Sequence, residues 1–202
     1  MSVYYYKGAQ ILAPYTIRSN EPMYDVDTVS LKKQRASQNA QRWEISFNTA
    51  GTVDTVQDML IAAVNATQLT DTMVMPQLPA VDEKTTISTA SLPVAESGAI
   101  GDTSVVMQVA GPTGLFPKGS FFKFNNHDKI YMTTTDTSFD GGTNVTMNFY
   151  PKLRSVVTTS NSVKNGSQCT LTYYKSIDNM AGVIFTDGVL SNSGTIELIE
   201  AL

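Results

Sequence analysis

The two ends of this chain look like halves of one small domain, and the middle looks like a second domain inserted between them. Residues 42–47 alternate apolar and polar side chains, as a half-buried β-strand does, and an amphipathic helix is predicted at residues 54–66. Residues 79–175 instead show only short strand patterns. We therefore predict a mainly β protein. One domain is discontinuous, residues 1–78 plus 176–202, and the inserted domain is residues 79–175.

The predicted strand and helix would supply the core of the discontinuous domain. Trp43, Ile45 and Phe47 fall on one face of the strand, because side chains alternate along it. The apolar side chains of the helix recur every three or four residues and form one stripe, namely Val56, Met59, Leu60, Ala63 and Val64. The apolar C-terminal strand, residues 194–202, is expected to pair with the N-terminal half.

The inserted domain is predicted to be a small β-barrel. Strand patterns follow one another without a helix, and turn residues such as Asn165-Gly166 separate them. These patterns cover residues 104–109, 120–124, 129–134, 145–150 and 169–174. Short strands in such a series favour an OB-like barrel, closed or partly closed. A proline-containing segment, residues 70–81, is interpreted as the extended linker that enters this domain.

The composition favours a subunit of an assembly. Charged residues make up 16% of the 202 residues, below the usual quarter, and hydrophobic residues make up 42%. A surface poor in charge suits a protein that hides much of its area in permanent contacts. The net charge of −4 argues against a protein whose main task is to grip nucleic acid. The longest apolar run, residues 59–64, is too short to span a bilayer, and we expect no membrane partner.

The motifs for catalysis or metal binding are missing from the sequence. His127 is the only histidine and Cys169 the only cysteine, so a four-ligand zinc site cannot be filled. Residues 111–119 resemble a phosphate loop faintly, but lack the Gly-Lys-Ser/Thr ending and the helix that follows it. We therefore predict no catalytic residue, no metal and no cofactor. Cys169 is interpreted as a buried apolar side chain.

A basic stretch without acidic residues consists of Lys32, Lys33, Arg35 and Arg42. One interpretation is a solvated or salt-bridged strand face. The other is a contact between subunits of an assembly. Nucleic-acid binding on the barrel would need basic residues close to its aromatic side chains. The lysines of residues 79–175 are instead spread out.

Several stretches resemble the distal tail proteins of long-tailed bacteriophages, in the version with an OB-fold insertion. Residues 117–124 (PKGSFFKF) and 126–131 (NHDKIY) are similar to a lysine-glycine strand followed by a His-x-Lys-x-Tyr strand. Residues 149–153 (FYPKL) resemble a Tyr-Pro-x-Leu strand end, and residues 188–195 fit the closing segment. The resemblance covers the chain from about residue 35 onward.

The resemblance implies a structural protein of the virion, made in the cytoplasm of the bacterial host. The discontinuous domain would be a tail-tube-like β-sandwich that forms a homo-oligomeric ring, a hexamer, at the distal end of the tail tube. The ring would join the tube to the baseplate hub and line the channel for DNA, without sequence-specific contacts. The OB-like domain would contact tail fibre or collar proteins.

Two other function classes remain open at this point. The OB-like barrel alone would suit a module that binds single-stranded nucleic acid or a glycan. An enzyme, such as a hydrolase whose residues meet only in space, is the third class.

Overall fold

The computed structural model describes residues 3–27, 33–51, 57–58, 61, 70–87, 91–108, 112–142, 144–176, 184–186, 189–192 and 194–202. Within this part of the chain the fold is mainly β, as predicted. The first nine strands are β1 (Tyr5–Tyr6), β2 (Ala9–Asn20), β3 (Met23–Asp27), β4 (Lys33–Ser37), β5 (Arg42–Thr49), β6 (Asp71–Val74), β7 (Ser91–Pro93), β8 (Ser104–Met107) and β9 (Thr113–Phe116).

The remaining strands are β10 (Phe121–Phe124), β11 (Ile130–Thr133), β12 (Thr137–Asp140), β13 (Val145–Tyr150), β14 (Ser162–Lys164), β15 (Thr170–Lys175), β16 (Ile184–Thr186), β17 (Val189–Asn192) and β18 (Ile196–Glu200). A short helix, α1 (Pro79–Asp82), and a 3-10 turn at Gly166–Gln168 accompany them.

The chain divides into two compact units. The central unit comprises residues 1–6, 71–173 and 202, and the flanking unit comprises residues 7–70 and 174–201. The domain boundaries that the sequence suggests stay a prediction.

In the flanking unit, β5 pairs antiparallel with β2 on one side and with β18 on the other. Ile45 is the shared register position, since it lies opposite Ile17 of β2 and Leu198 of β18. Trp43, Ile45 and Phe47 are buried. The alternating pattern therefore places one apolar face of β5 inside the protein and leaves polar residues on the other face.

The helix predicted at residues 54–66 lies mostly outside the described residues. Gln57, Asp58 and Ile61 are helical. The stripe residues Val56, Met59, Leu60, Ala63 and Val64 are outside the described residues.

In the central unit, six strands form one antiparallel sheet in the order β7–β14–β10–β11–β13–β8. Their inner side chains build an aromatic core in which the Phe122 ring lies 5.7 Å from Tyr131 and 5.8 Å from Phe149. The end strands approach each other beyond β7, where Val94 bridges to Met107 of β8. The Gln108 N–H also donates to the Pro93 carbonyl, at 2.9 Å. The OB-like barrel stays a prediction.

Two interpretations of the sequence were wrong. The strand at residues 169–174 belongs to β15, which pairs with β6 and is not part of the sheet formed by β7, β14, β10, β11, β13 and β8. Alternation of side chains reveals a strand but not its partner. The supposed linker, residues 70–81, contains β6 and begins α1, because Pro79 suits the first turn of a helix.

The sequence pattern did not predict the hairpin of β9 and β12. It pairs Thr113 with Asp140 and Phe116 with Thr137. Gly114 is needed there because its φ is +118°, and a Cβ would lie 2.3 Å from the Thr86 carbonyl oxygen.

Candidate functional site

The hairpin of β3 and β4 is an exposed element of the flanking unit. All five residues of β3 are exposed, from Met23 to Asp27. Its base is held by the Gln38 N–H, which donates to the Pro22 carbonyl at 3.1 Å, and by the Ser37 hydroxyl, which donates to Glu21. A two-stranded hairpin with so little burial is marginally stable in water by itself.

The two faces of this hairpin differ in chemistry, because residues paired across an antiparallel ladder share a face. Asp25 pairs with Arg35 and Asp27 with Lys33, so one face is charged. Tyr24 and Val26 lie on the opposite face, with 65% and 59% of their surface exposed. The hairpin is therefore amphipathic with neither face buried within the chain. The period-two alternation in residues 23–27 carries this signal, which the sequence analysis did not use.

The predicted basic residues fall into separate places. The Lys33 Nζ lies 3.5 Å from the Asp25 Oδ2, and the Arg35 Nε lies 3.7 Å from the same oxygen. Lys32 is outside the described residues. Exposed ion pairs of this kind contribute at most about 1 kcal/mol. Asp25 thus brings Lys33 and Arg35 together, and the charged face is close to neutral.

Arg42 lies apart from this pair, on the polar face of β5. Its guanidinium carbon lies 5.9 Å from the ring centroid of Tyr174, and its Nη1 donates to the Tyr174 hydroxyl. The sequence stretch that looked like one basic patch is therefore divided between a hairpin and a different sheet.

A pocket of about 260 Å³ lies on the same polar face of the flanking unit. Its lining includes Arg18, Glu44 and Glu197, together with Thr16 and Ser46. Arg18 lies directly opposite Glu44 in the ladder, and the Asn20 Nδ2 donates to the Glu44 Oε1 at 2.7 Å. Neither a histidine nor a cysteine lines this pocket, whereas Ser46 and Ser176 do.

Among the described residues, no group of three or more His, Cys, Asp or Glu side chains could hold a metal ion. A search of the described residues found no helix that is long and apolar enough to cross a membrane.

The aromatic side chains that suggested a single-strand binding surface are mostly in the core of the central unit. Phe121, Phe122, Phe124, Tyr131 and Phe149 each expose 2% of their surface or less, and Tyr150 is half-buried. Stacking on bases requires an exposed ring face. These buried rings cannot supply it in this conformation.

Residues 84–176 match the family described as distal tail protein pb9, B domain. A search of curated proteins found no match. The matched range lies almost wholly in the central unit and contains three of the stretches that carry the resemblance, residues 117–124, 126–131 and 149–153. This match supports the resemblance of the chain to bacteriophage distal tail proteins, which are structural proteins of the phage tail.

Proposed function

We propose that this protein forms a closed ring, a hexamer, at the distal end of a phage tail tube. The ring joins the tube to the baseplate or tip complex, and DNA passes through its channel. The flanking unit, a tail-tube-like β-sandwich, makes the contacts between copies. The central unit faces outward and contacts fibre, collar or hub proteins.

The single observation that carries this proposal is the exposed amphipathic hairpin of β3 and β4. Among the described residues β3 and β4 pair only with each other, and such a hairpin exposes strand edges and apolar side chains to water, which favours pairing with another chain. When every copy offers the same hairpin to the next, the contacts are heterologous and close into a ring if the rotation per copy allows it. The family match supports the setting of this ring in a phage tail.

The charged face of the hairpin sets the orientation of neighbouring copies in this proposal. Lys33 and Arg35 share Asp25 within one chain, at distances of 3.5 Å and 3.7 Å. These pairs are exposed, so each cation can exchange Asp25 for a carboxylate of a neighbouring copy at little cost. Complementary charges of this type set orientation more than affinity.

The apolar face is tested by the double change of Tyr24→Ser and Val26→Thr. We expect rings of the original protein in light scattering and negative stain, and smaller species for this variant. Ile100→Ser is the matched control, because Ile100 is also 65% exposed but lies in the central unit. Unchanged rings in the Tyr24 and Val26 variant would refute the hairpin as the ring contact.

The charged face is tested by reversing Lys32 and Lys33 to Glu. Weaker ring formation is the expected result, since the carboxylate introduced at position 33 would repel Asp25 and the carboxylates of the next copy. Assembly that is unchanged at low and at high salt would sink the proposed role of the basic stretch.

A further inference from the structure

His127 is the only histidine, and both of its ring nitrogens make hydrogen bonds. The Nδ1 lies 2.8 Å from the Asn126 Oδ1, and the Nε2 lies 2.8 Å from the Tyr131 hydroxyl. The ring also packs against Phe124, with 5.7 Å between ring centroids. The histidine therefore occupies a fixed position between the turn that follows β10 and the strand β11.

The direction of each bond follows from the neighbours. The Asn126 Nδ2 donates to the Val156 carbonyl at 2.9 Å, so the Asn126 Oδ1 faces the imidazole as an acceptor. His127 must then carry its proton on Nδ1. The Nε2 is left with its lone pair and accepts from the Tyr131 hydroxyl, whose oxygen in turn accepts from the Arg154 N–H at 3.3 Å.

This chain of bonds ties two loops of the central unit together. The turn at residues 125–128 contributes Asn126 and His127, and the segment at residues 153–157 contributes the Arg154 N–H and the Val156 carbonyl. The second loop continues into a third, since the Gly98 N–H donates to the Val157 carbonyl at 2.8 Å. Val156 itself exposes 52% of its surface, next to these anchors.

A second proton on His127 is incompatible with this arrangement. The new N–H on Nε2 would point at the proton that Tyr131 donates, and the hydroxyl would have to turn away. We propose that His127 is a proton-operated latch: neutral imidazole holds the loop at residues 153–157 against the turn at residues 125–128, and protonation releases it.

The charges around the imidazole favour a latch that stays closed at neutral pH. Burial lowers the pKa of His127 to about 4, and the Asp128 carboxylate opposes this effect. Three cations, Lys123, Arg154 and Lys129, lower the pKa further. Asp128 is itself paired with Lys123, whose Nζ lies 3.3 Å from its Oδ1. Release of the loop is therefore expected in acid, well below the usual titration of histidine at about 6.5.

The test follows the single histidine of the full-length protein by NMR between pH 3 and pH 7. We expect the His127 ring signal to titrate near pH 4. The protection of the Arg154 amide against hydrogen exchange should fall with the same midpoint. The expected fall is at least about tenfold, because the pKa of His127 lies more than one unit below its usual value and each unit corresponds to a factor of ten in the equilibrium. The proposal is overturned if His127 titrates near 6.5, or if its titration leaves the Arg154 amide unchanged.

Two variants separate the latch from general acid unfolding. His127→Gln has no group that titrates, so its Arg154 amide protection should not change with the His127 midpoint. Tyr131→Phe removes the bonded hydroxyl, and we expect the His127 midpoint to rise and the Arg154 amide to be less protected at neutral pH. Tyr174→Phe is the matched control, because that hydroxyl bonds to Arg42 in the flanking unit. A midpoint that Tyr131→Phe does not move contradicts the latch.

Discussion

Gln77 makes a paired contact with the first residue of β10, and its removal should destabilise the central unit. The Gln77 Nε2 donates to the Phe121 carbonyl and the Phe121 N–H donates to the Gln77 Oε1, both at 2.8 Å. Gln77 is 7% exposed and Phe121 is 2% exposed. The side-chain amide therefore acts as one extra residue of a neighbouring strand, in a place that water does not reach.

The magnitude follows from these two bonds. Gln77→Ala deprives one buried N–H and one buried carbonyl of these partners, and each such loss costs about 1–3 kcal/mol. We expect the free energy of unfolding of the central unit to fall by about 2–6 kcal/mol.

Gln77→Glu gives a sharper test because only one of the two bonds survives at neutral pH. The ionised carboxylate accepts from the Phe121 N–H but repels the Phe121 carbonyl, whereas the protonated acid can donate to that carbonyl. Burial and this repulsion raise the pKa of the introduced carboxyl above the value of about 4.3 in the unfolded chain. Relative to Gln77→Ala, the stability of this variant should therefore rise as the pH falls through the raised pKa, and level off below about 4.3.

Native-state hydrogen exchange at the β10 and β11 amides measures the effect in the unit concerned. Trp43, the only tryptophan, lies in the flanking unit and would not report it. Gln168→Ala is the control, since Gln168 is exposed in the same unit. If Gln77→Ala changes the opening free energy by less than about 0.5 kcal/mol, as an ordinary surface substitution does, the reasoning is refuted.

Three further outcomes are expected. The Oγ1 of Thr137 is buried and has no hydrogen-bond partner among the described residues, so Thr137→Val should stabilise the protein by about 1 kcal/mol in urea unfolding; a destabilised variant would contradict this. Gly114→Ala should lower the melting temperature, because its Cβ would meet the Thr86 carbonyl at 2.3 Å, whereas Gly101→Ala, with open space around its Cβ but also a positive φ, should cost less. Because the pKa of His127 is lowered, the folded protein favours the neutral imidazole. The free energy of unfolding is therefore at its full value above about pH 6.5 and decreases as the pH falls towards 4. After allowance for solvent screening this loss should be about 1–2 kcal/mol in urea titrations, and equal losses in His127→Gln would refute it.

Much of the fold could be predicted from the sequence where one face of a strand is buried. The alternation at residues 42–47 located β5, and four predicted strands of residues 104–150 correspond to β8, β10, β11 and β13. Burial alternates along β5 and β8, which gives the period of two, whereas β10 and β11 bury adjacent residues and were found as short apolar runs.

The missed elements lack that signature. The residues of β9 include Gly114, and Pro112 stands directly before the strand, so the segment looks like a connection. Strand pairing was also beyond the sequence: β6 and β15 lie about one hundred residues apart, and their register, such as Thr172 opposite Thr72, follows from tertiary contacts.

The candidate site was predictable only in part. The sequence showed four basic residues close together, but ion pairing of Lys33 and Arg35 with Asp25 depends on the fold of the hairpin. Cross-strand neighbours depend on the register of β3 against β4, which the sequence pattern does not specify.

The ring is the central claim, and the mass of the particle in solution tests it most directly. Light scattering after size exclusion, with negative-stain images of the same peak, should show rings of six copies of the 21.9 kDa chain, growing from partial rings as the concentration rises. A single species of 21.9 kDa at every concentration, with no rings in the images, would contradict the account.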